Sequence, residues 1–288
     1  MSGPGPTSSE VVALPDGRRA QVWVGGATTG PLVVVLHGCP DTRHVAMTGH
    51  EAAAGLGVRL LCVNRPGYGD SDPHASTQGS VADDAVAVAR SLGADRFAVL
   101  GMSVGCSYAV AVAARHPERV AALGLVALQT PPPETGTVTD KVERYRPGFA
   151  SYVAALAPDD PDDTALAGRF LDRLPPADAA ELLARAGRAG VAAGVREALA
   201  SPEGYLRDAA LLLSPWEHAP EEVSCPVHLW FGELDARSPA SATAAWTARL
   251  AAPAVVVRPG TTHLTTLVGH WPEVLGTLAR PLHRDLGD

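Results

Sequence analysis

No stretch of this 288-residue chain approaches the run of about 18 apolar residues that a membrane-spanning helix needs, so no membrane role is expected. Basic residues are scarce and scattered. With 23 Lys and Arg against 31 Asp and Glu, the formal charge is −8, and no grouped cations offer the positive patch that nucleic acid demands. Cysteine is sparse too. Cys39, Cys62, Cys106 and Cys225 lie far apart with no C-x-x-C pair, which predicts four reduced, mostly buried thiols rather than a disulfide framework. No Cys/His spacing matches a zinc site, and no metal is expected. The acidic run Asp159-Asp160-Pro161-Asp162-Asp163 lacks the spacing of a calcium loop and reads as a solvated turn. Met1–Glu10 is rich in Gly, Pro and Ser, without the basic start or apolar core of a signal peptide, so a cytoplasmic protein is expected.

What is present suits one large α/β domain with an insertion. Hydrophobic residues make up 46% of the chain, enough to bury a sizeable core at this length. Val11–Leu14 and Ala20–Val24, separated by Pro15-Asp16-Gly17, read as an antiparallel hairpin at a sheet edge. Apolar runs of strand length follow at Leu32–Leu36, Arg59–Val63, Phe97–Leu100, Val120–Leu128, Val227–Phe231 and Ala254–Val257. Helical stretches separate them, near Ala46–Leu56, Val81–Leu92, Val104–Arg115 and Ser241–Leu250, with a last helix after Trp271. Strands apolar throughout, alternating with helices, predict a mostly parallel sheet covered on both faces. The alternation breaks once, between Gln129 and Glu222, where Ala/Leu-rich helical pieces carry no strand. The expected division is therefore a core of residues 1–128 and 223–288 and a helical cap of residues 129–222, since structureless loops of that length are rare.

Gly101-Met102-Ser103-Val104-Gly105 lies between a strand-like run and a helix, which is the setting of a nucleophile elbow. The flanking glycines let strand and helix approach closely, and the helix N-terminus favours developing negative charge. A serine hydroxyl needs a base, and the base needs an orienting carboxylate. On a parallel sheet these converge at the carboxyl ends of strands. Asp235 follows the strand ending at Phe231, and His263 follows the one ending near Val257, giving the order Ser103, Asp235, His263. Glu233 and Glu134 are alternative acids, and His270 is the alternative base. For the oxyanion, Val104 N–H is one expected donor and Cys39 N–H, in the loop His37-Gly38-Cys39-Pro40, the second. His37 is expected to prop this loop rather than to act as base.

Together His37-Gly38-Cys39-Pro40, Arg65-Pro66-Gly67-Tyr68-Gly69-Asp70-Ser71, the serine elbow, Gly232-x-x-Asp235 with Pro239, and Pro259-Gly260-x-x-His263-Leu264 resemble the α/β-hydrolase superfamily over residues 32 to 264. The resemblance implies an α/β-hydrolase fold with an inserted helical cap and a Ser-His-Asp hydrolase without metal or organic cofactor. By the same likeness, the Arg65–Ser71 loop lines the region beneath the cap. Members that dehalogenate alkyl halides or open epoxides carry aspartate at the elbow, so Ser103 points away from both. The His-Gly-Gly-Pro-Gly loop of proline iminopeptidases is absent. The expected activity is hydrolysis of a carboxylic ester or related acyl bond of a small molecule. Carbon–carbon or thioester hydrolysis, cofactor-free perhydrolysis, and non-catalytic ligand binding are the alternatives on the same scaffold. Tyr145, Phe149, Tyr152, Phe170 and Tyr205 are the candidate aromatic liners of the acyl pocket.

Overall fold

A computed structural model describes residues 7–285. Residues 1–6, part of the Met1–Glu10 segment discussed above, lie outside the described residues. Eight strands form one sheet: β1 (Ser8–Ala13), β2 (Arg19–Gly26), β3 (Leu32–Leu36), β4 (Arg59–Val63), β5 (Phe97–Met102), β6 (Val120–Val126), β7 (Val227–Gly232) and β8 (Ala254–Arg258). Their order is β1-β2-β4-β3-β5-β6-β7-β8. β1 and β2 make the expected edge hairpin, with Val11 opposite Gln21. β2 runs antiparallel to β4, and β3 to β8 are mutually parallel. The chain moves outward from β3 to β4, then returns past β3 to β5. The carboxyl ends of β3 and β5 therefore flank the point where strand order reverses, which is where open α/β sheets place their ligands.

The helices are α1 (His44–Met47), α2 (His50–Gly55), α3 (Gln78–Ser91), α4 (Gly105–Arg115), α5 (Val138–Leu156), α6 (Asp163–Leu171), α7 (Pro176–Leu199), α8 (Pro202–Leu212), α9 (Ala244–Thr247), α10 (Thr265–Val268) and α11 (Trp271–Asp285). Side chains alternate across the central strands, so each β3 valine has an assigned face. Val34 and Leu36 pack with α3 and α4, while Val33 and Val35 pack with α11 through Trp271, Leu275 and Leu278. The insertion between β6 and β7 holds α5 to α8 and has its own apolar centre around Leu156, Leu166, Val191 and Leu206. Among the described residues, no helix is long and apolar enough to cross a membrane.

Three expectations about elements need correction. The helix read over Ala46–Leu56 is two short helices broken at Thr48-Gly49. A Cβ on Gly49 would lie 2.7 Å from the Trp271 indole, so the chain turns there to admit the ring. The helix read over Ser241–Leu250 shrinks to a 3₁₀ turn, Ala240–Thr243, and the single turn of α9. Its Ser and Thr side chains compete for backbone hydrogen bonds and weaken a helix. With so little helix beside it, β8 is not covered on both faces, and Val255, Val256 and Val257 are exposed at the sheet edge.

The acidic run is a turn, as read. Asp162 caps α6 by accepting from Thr164 N and Ala165 N, while Asp160 pairs with Arg169 and Asp163 with Arg196.

The elbow depends on its glycines for space. A Cβ on Gly105 would stand 2.1 Å from Leu36 O and 2.6 Å from His37 O, so α4 could no longer seat against β3. Those obstacles are backbone and cannot rotate away. Gly105→Ala is expected to destabilise the fold by about 3 kcal/mol, read as a melting temperature lower by roughly 6–12 °C. A variant melting with the parent would contradict this packing account.

Candidate active site

Four loops at the carboxyl ends of strands supply the site. Ser103 follows β5 directly and adopts φ +54°, a left-handed conformation that costs a non-glycine residue about 1–2 kcal/mol. The strain is held by neighbours: Ser103 N–H donates to Val126 O at 2.9 Å, and Cys106 N–H donates to Ser103 O at 3.0 Å. Ser103 is 7% exposed and lines a cavity of about 420 Å³.

His263 lines the same cavity. Its Nδ1 lies 2.7 Å from Asp235 Oδ2. A carboxylate at that distance places the proton on Nδ1 and leaves Nε2 as the ring's free lone pair. The other oxygen, Asp235 Oδ1, accepts from Arg237 N at 2.9 Å and Ser238 N at 3.2 Å. Burial works to raise the Asp235 pKa, but the bond and charge of His263 and these two N–H groups outweigh it, so the carboxyl lies below its ordinary value. Of the three residues that sequence reasoning named, Ser103 and His263 line one cavity and Asp235 bonds His263.

The alternatives are engaged elsewhere. Glu233 accepts from Gly260 N, Glu134 is bound by Arg144 and Tyr145, and His270 Nδ1 meets Thr265 O.

Cys39 and Val104 line the cavity as well, and among the described residues neither backbone N–H donates to another backbone group. The Gly38–Cys39 peptide is held from its oxygen end. Gly38 O accepts from Arg65 Nη2 at 2.7 Å and lies 2.9 Å from His37 Nδ1. Because a peptide group is planar, fixing its carbonyl fixes the direction of the Cys39 N–H. His37 Nε2 accepts from Arg65 N at 3.2 Å, so Nδ1 carries the proton and donates to Gly38 O. Burial and the Arg65 charge push the His37 pKa far down, which keeps this ring neutral in that tautomer. His37 props the loop, as its position before the turn suggested.

Sequence reasoning missed what holds Arg65. The guanidinium is 2% exposed and pairs with Asp208 of α8, at 2.6 Å from Nη2 to Oδ2 and 3.0 Å from Nε to Oδ1. The same carboxylate accepts from Tyr68 Oη at 2.7 Å and Tyr108 Oη at 2.6 Å. Burial, reinforced by Asp208, raises both phenols well above their ordinary value, so they remain neutral donors. Burial alone would lower the Arg65 pKa, but Asp208 reverses the direction and the guanidinium stays charged.

Two further carboxylates of α7 make similar reaches. Asp178, 1% exposed, accepts from Thr262 Oγ1, Leu264 N and Thr265 N, gripping the loop that carries His263. Glu197 binds Arg43 Nη2 at 2.6 Å and Asn64 Nδ2 at 2.8 Å. Burial opposes its ionisation, but His44, Asn64 and Arg43 together bring its pKa down to about 2. An Asp or Glu inside an Ala-rich helix resembles solvent-facing charge, so these anchors had no distinguishing sequence signal.

Of the five aromatic candidates, Tyr152, Phe170 and Tyr205 line the cavity. Phe149 packs inside the insertion and Tyr145 bonds Glu134 instead. The four cysteines are free thiols, and Cys39 Sγ, held near Tyr68 Oη at 3.4 Å, has its pKa raised by burial first, then by Asp208, which suits no nucleophilic role. Among the described residues, no cluster of His, Cys, Asp and Glu could hold a metal ion.

Comparison with known proteins agrees with this architecture. A model of the alpha/beta hydrolase fold family matches residues 31–269. Epoxide hydrolase B of Mycobacterium tuberculosis is 34% identical over 106 residues, a match spanning 35% of this chain and only 29% of that enzyme. Among solved structures, a thermophilic esterase from Thermogutta terrifontis superposes with a TM-score of 0.66 at 21% identity, covering 99% of this chain and 100% of that one. An esterase from Exiguobacterium antarcticum gives 0.70 at 19% identity, covering 95% of this chain and 100% of that one. Strand order, elbow and family match together show that the chain belongs to the alpha/beta hydrolase fold family.

Proposed function

We propose that the chain is a serine hydrolase cleaving a carboxylic ester or related acyl bond of a small molecule, with Ser103, His263 and Asp235 as its triad. The observation that carries this reading is the 2.7 Å bond from His263 Nδ1 to Asp235 Oδ2 in a cavity that Ser103 also lines. In the proposed reaction His263 Nε2 takes the hydroxyl proton as Ser103 Oγ adds to the substrate carbonyl. Asp235 keeps the imidazole in its reactive tautomer and stabilises the imidazolium. Cys39 N–H and Val104 N–H receive the tetrahedral oxyanion, each contributing roughly 10²- to 10³-fold to rate. His263 returns the proton to the leaving alcohol, and water then releases the acyl group by the same steps in reverse.

In this reading residues 129–222 act as a cap over a core of residues 1–128 and 223–288, because insertion side chains such as Tyr152, Leu182 and Tyr205 share the cavity with Ser103. Four free cysteines accord with a reducing, cytoplasmic setting. The partial match to an epoxide hydrolase does not extend the proposal to epoxides, since the elbow carries Ser103 where that chemistry uses aspartate. Assaying the purified chain against p-nitrophenyl esters and acyl thioesters tests the reading, with ester turnover expected. Turnover confined to thioesters or carbon–carbon substrates would reassign the bond, and saturable binding without any turnover would replace hydrolysis with ligand reception.

A further inference from the structure

The active-site cavity carries cationic side chains on its wall. Most of its wall is apolar, with Leu156, Phe170, Leu182 and Val195 contributing, yet Arg173 and Arg237 line it too. Arg237 is anchored from behind, since its N–H donates to Asp235 Oδ1 at 2.9 Å. Arg173 follows α6 and donates from Nη1 to Arg169 O at 3.0 Å. Both guanidiniums act on one further cavity residue. Burial and Tyr205 push the Tyr152 phenol up to about 12, while Arg173 and Arg237 pull it down.

These arginines differ from most others in an acidic chain. Arg18, Arg43, Arg65, Arg196 and Arg258 each meet a carboxylate within 2.9 Å. Among the described residues, neither the Arg173 nor the Arg237 guanidinium forms such a pair, and the Arg173 guanidinium donates to a backbone carbonyl, Arg169 O.

The cavity's own carboxylate, Asp41, lies by the nucleophile. A Cβ placed on Gly38 would be 3.6 Å from Ser103 Cβ and 3.9 Å from Asp41 Cβ. Burial raises the Asp41 pKa to about 6, so it is mostly ionised at neutral pH, and the charges acting on it are His44, Arg65 and Glu197. An anionic group beside Asp41 would be repelled, whereas one beside Arg173 and Arg237 would meet two cations.

We infer that the substrate carries an anionic group, a carboxylate or a phosphate, held by Arg173 and Arg237 on the cavity wall. This rests on the hydrolase reading and narrows its substrate class. Guanidinium forks suit the planar oxygens of either anion through charge-assisted hydrogen bonds. Both arginines are exposed, so water and salt screen them and the preference they confer is moderate.

The test compares mono-p-nitrophenyl adipate with its methyl-capped neutral analogue, and adds a p-nitrophenyl hexanoate carrying a terminal phosphate. The expected kcat/KM ratio of an anionic ester to the neutral one is about five to ten. It should fall to about one in the Arg173→Gln/Arg237→Gln double variant and shrink in high salt. Preference for the carboxylate, the phosphate or both supports the inference and identifies the anion. A ratio of one in the parent, or one undiminished in the double variant, overturns it. Calorimetry on Ser103→Ala protein with monomethyl adipate and dimethyl adipate reads the same preference without chemistry. Tighter monomethyl binding that the double variant loses, together with no ester turnover by the parent, would uphold the anion site and sink the hydrolase reading alone.

Discussion

Replacing Ser103 with alanine is expected to lower kcat on a p-nitrophenyl ester by at least about 10⁴-fold. The change removes one oxygen and leaves the scaffold in place. The backbone bonds of residue 103, to Val126 O and from Cys106 N, do not involve its hydroxyl. Alanine pays the same backbone strain at φ +54° as serine, so the melting temperature should move by no more than a few degrees. The proposed oxyanion donors and the cavity persist, and a residual rate above water is expected from them. Calorimetric melting and pre-steady-state kinetics on the one sample separate lost chemistry from lost fold. Activity within tenfold of the parent would remove Ser103 from the reaction.

Asp208→Asn should produce the largest loss of stability. Asp208 is 2% exposed and balances Arg65, itself buried, while accepting from two tyrosines. Asparagine keeps the shape but removes the charge, and its amide nitrogen must face a donor that formerly met an acceptor. Breaking a buried pair from one side costs about 3–5 kcal/mol because the other charge stays behind. A melting temperature lower by roughly 10 °C follows. Tyr108→Phe, which deletes one hydrogen bond and leaves the pair, should cost nearer 1 kcal/mol. The two variants should also differ in catalysis. Arg65 orients the Gly38–Cys39 peptide through Gly38 O, so a displaced guanidinium lets the Cys39 N–H wander. We expect Asp208→Asn to reduce kcat more than it raises KM, measured well below its melting temperature. Equal stability of the two variants would contradict the role assigned to Asp208.

The parts of the molecule that the sequence made legible are those whose chemistry demands local neighbours. The elbow needs glycine at 101 and 105, and both would collide with backbone if they carried a Cβ. Ser103, Asp235 and His263 each follow an apolar run of strand length, so their convergence could be read from topology. The insertion was visible as a gap between strands. Long-range partners were invisible. Asp178, Glu197 and Asp208 sit in helices as single acids, and only folding brings them against Thr262, Arg43 and Arg65. Helix length near the last strand was overread because Ser241, Thr243 and Thr247 carry little periodic signal against alanine. The exposure of β8 followed from that shortfall, since strand composition says what a sheet can bury but not whether a helix arrives to bury it.

The central claim is that Ser103 becomes acylated. Treating the protein with a fluorophosphonate, digesting it and sequencing the modified peptide by mass spectrometry addresses that claim directly. The account predicts one adduct per chain on Ser103, formed slowly in His263→Ala protein and not at all in Ser103→Ala. Adduct on another residue, or undiminished labelling of the Ser103→Ala protein, would contradict it.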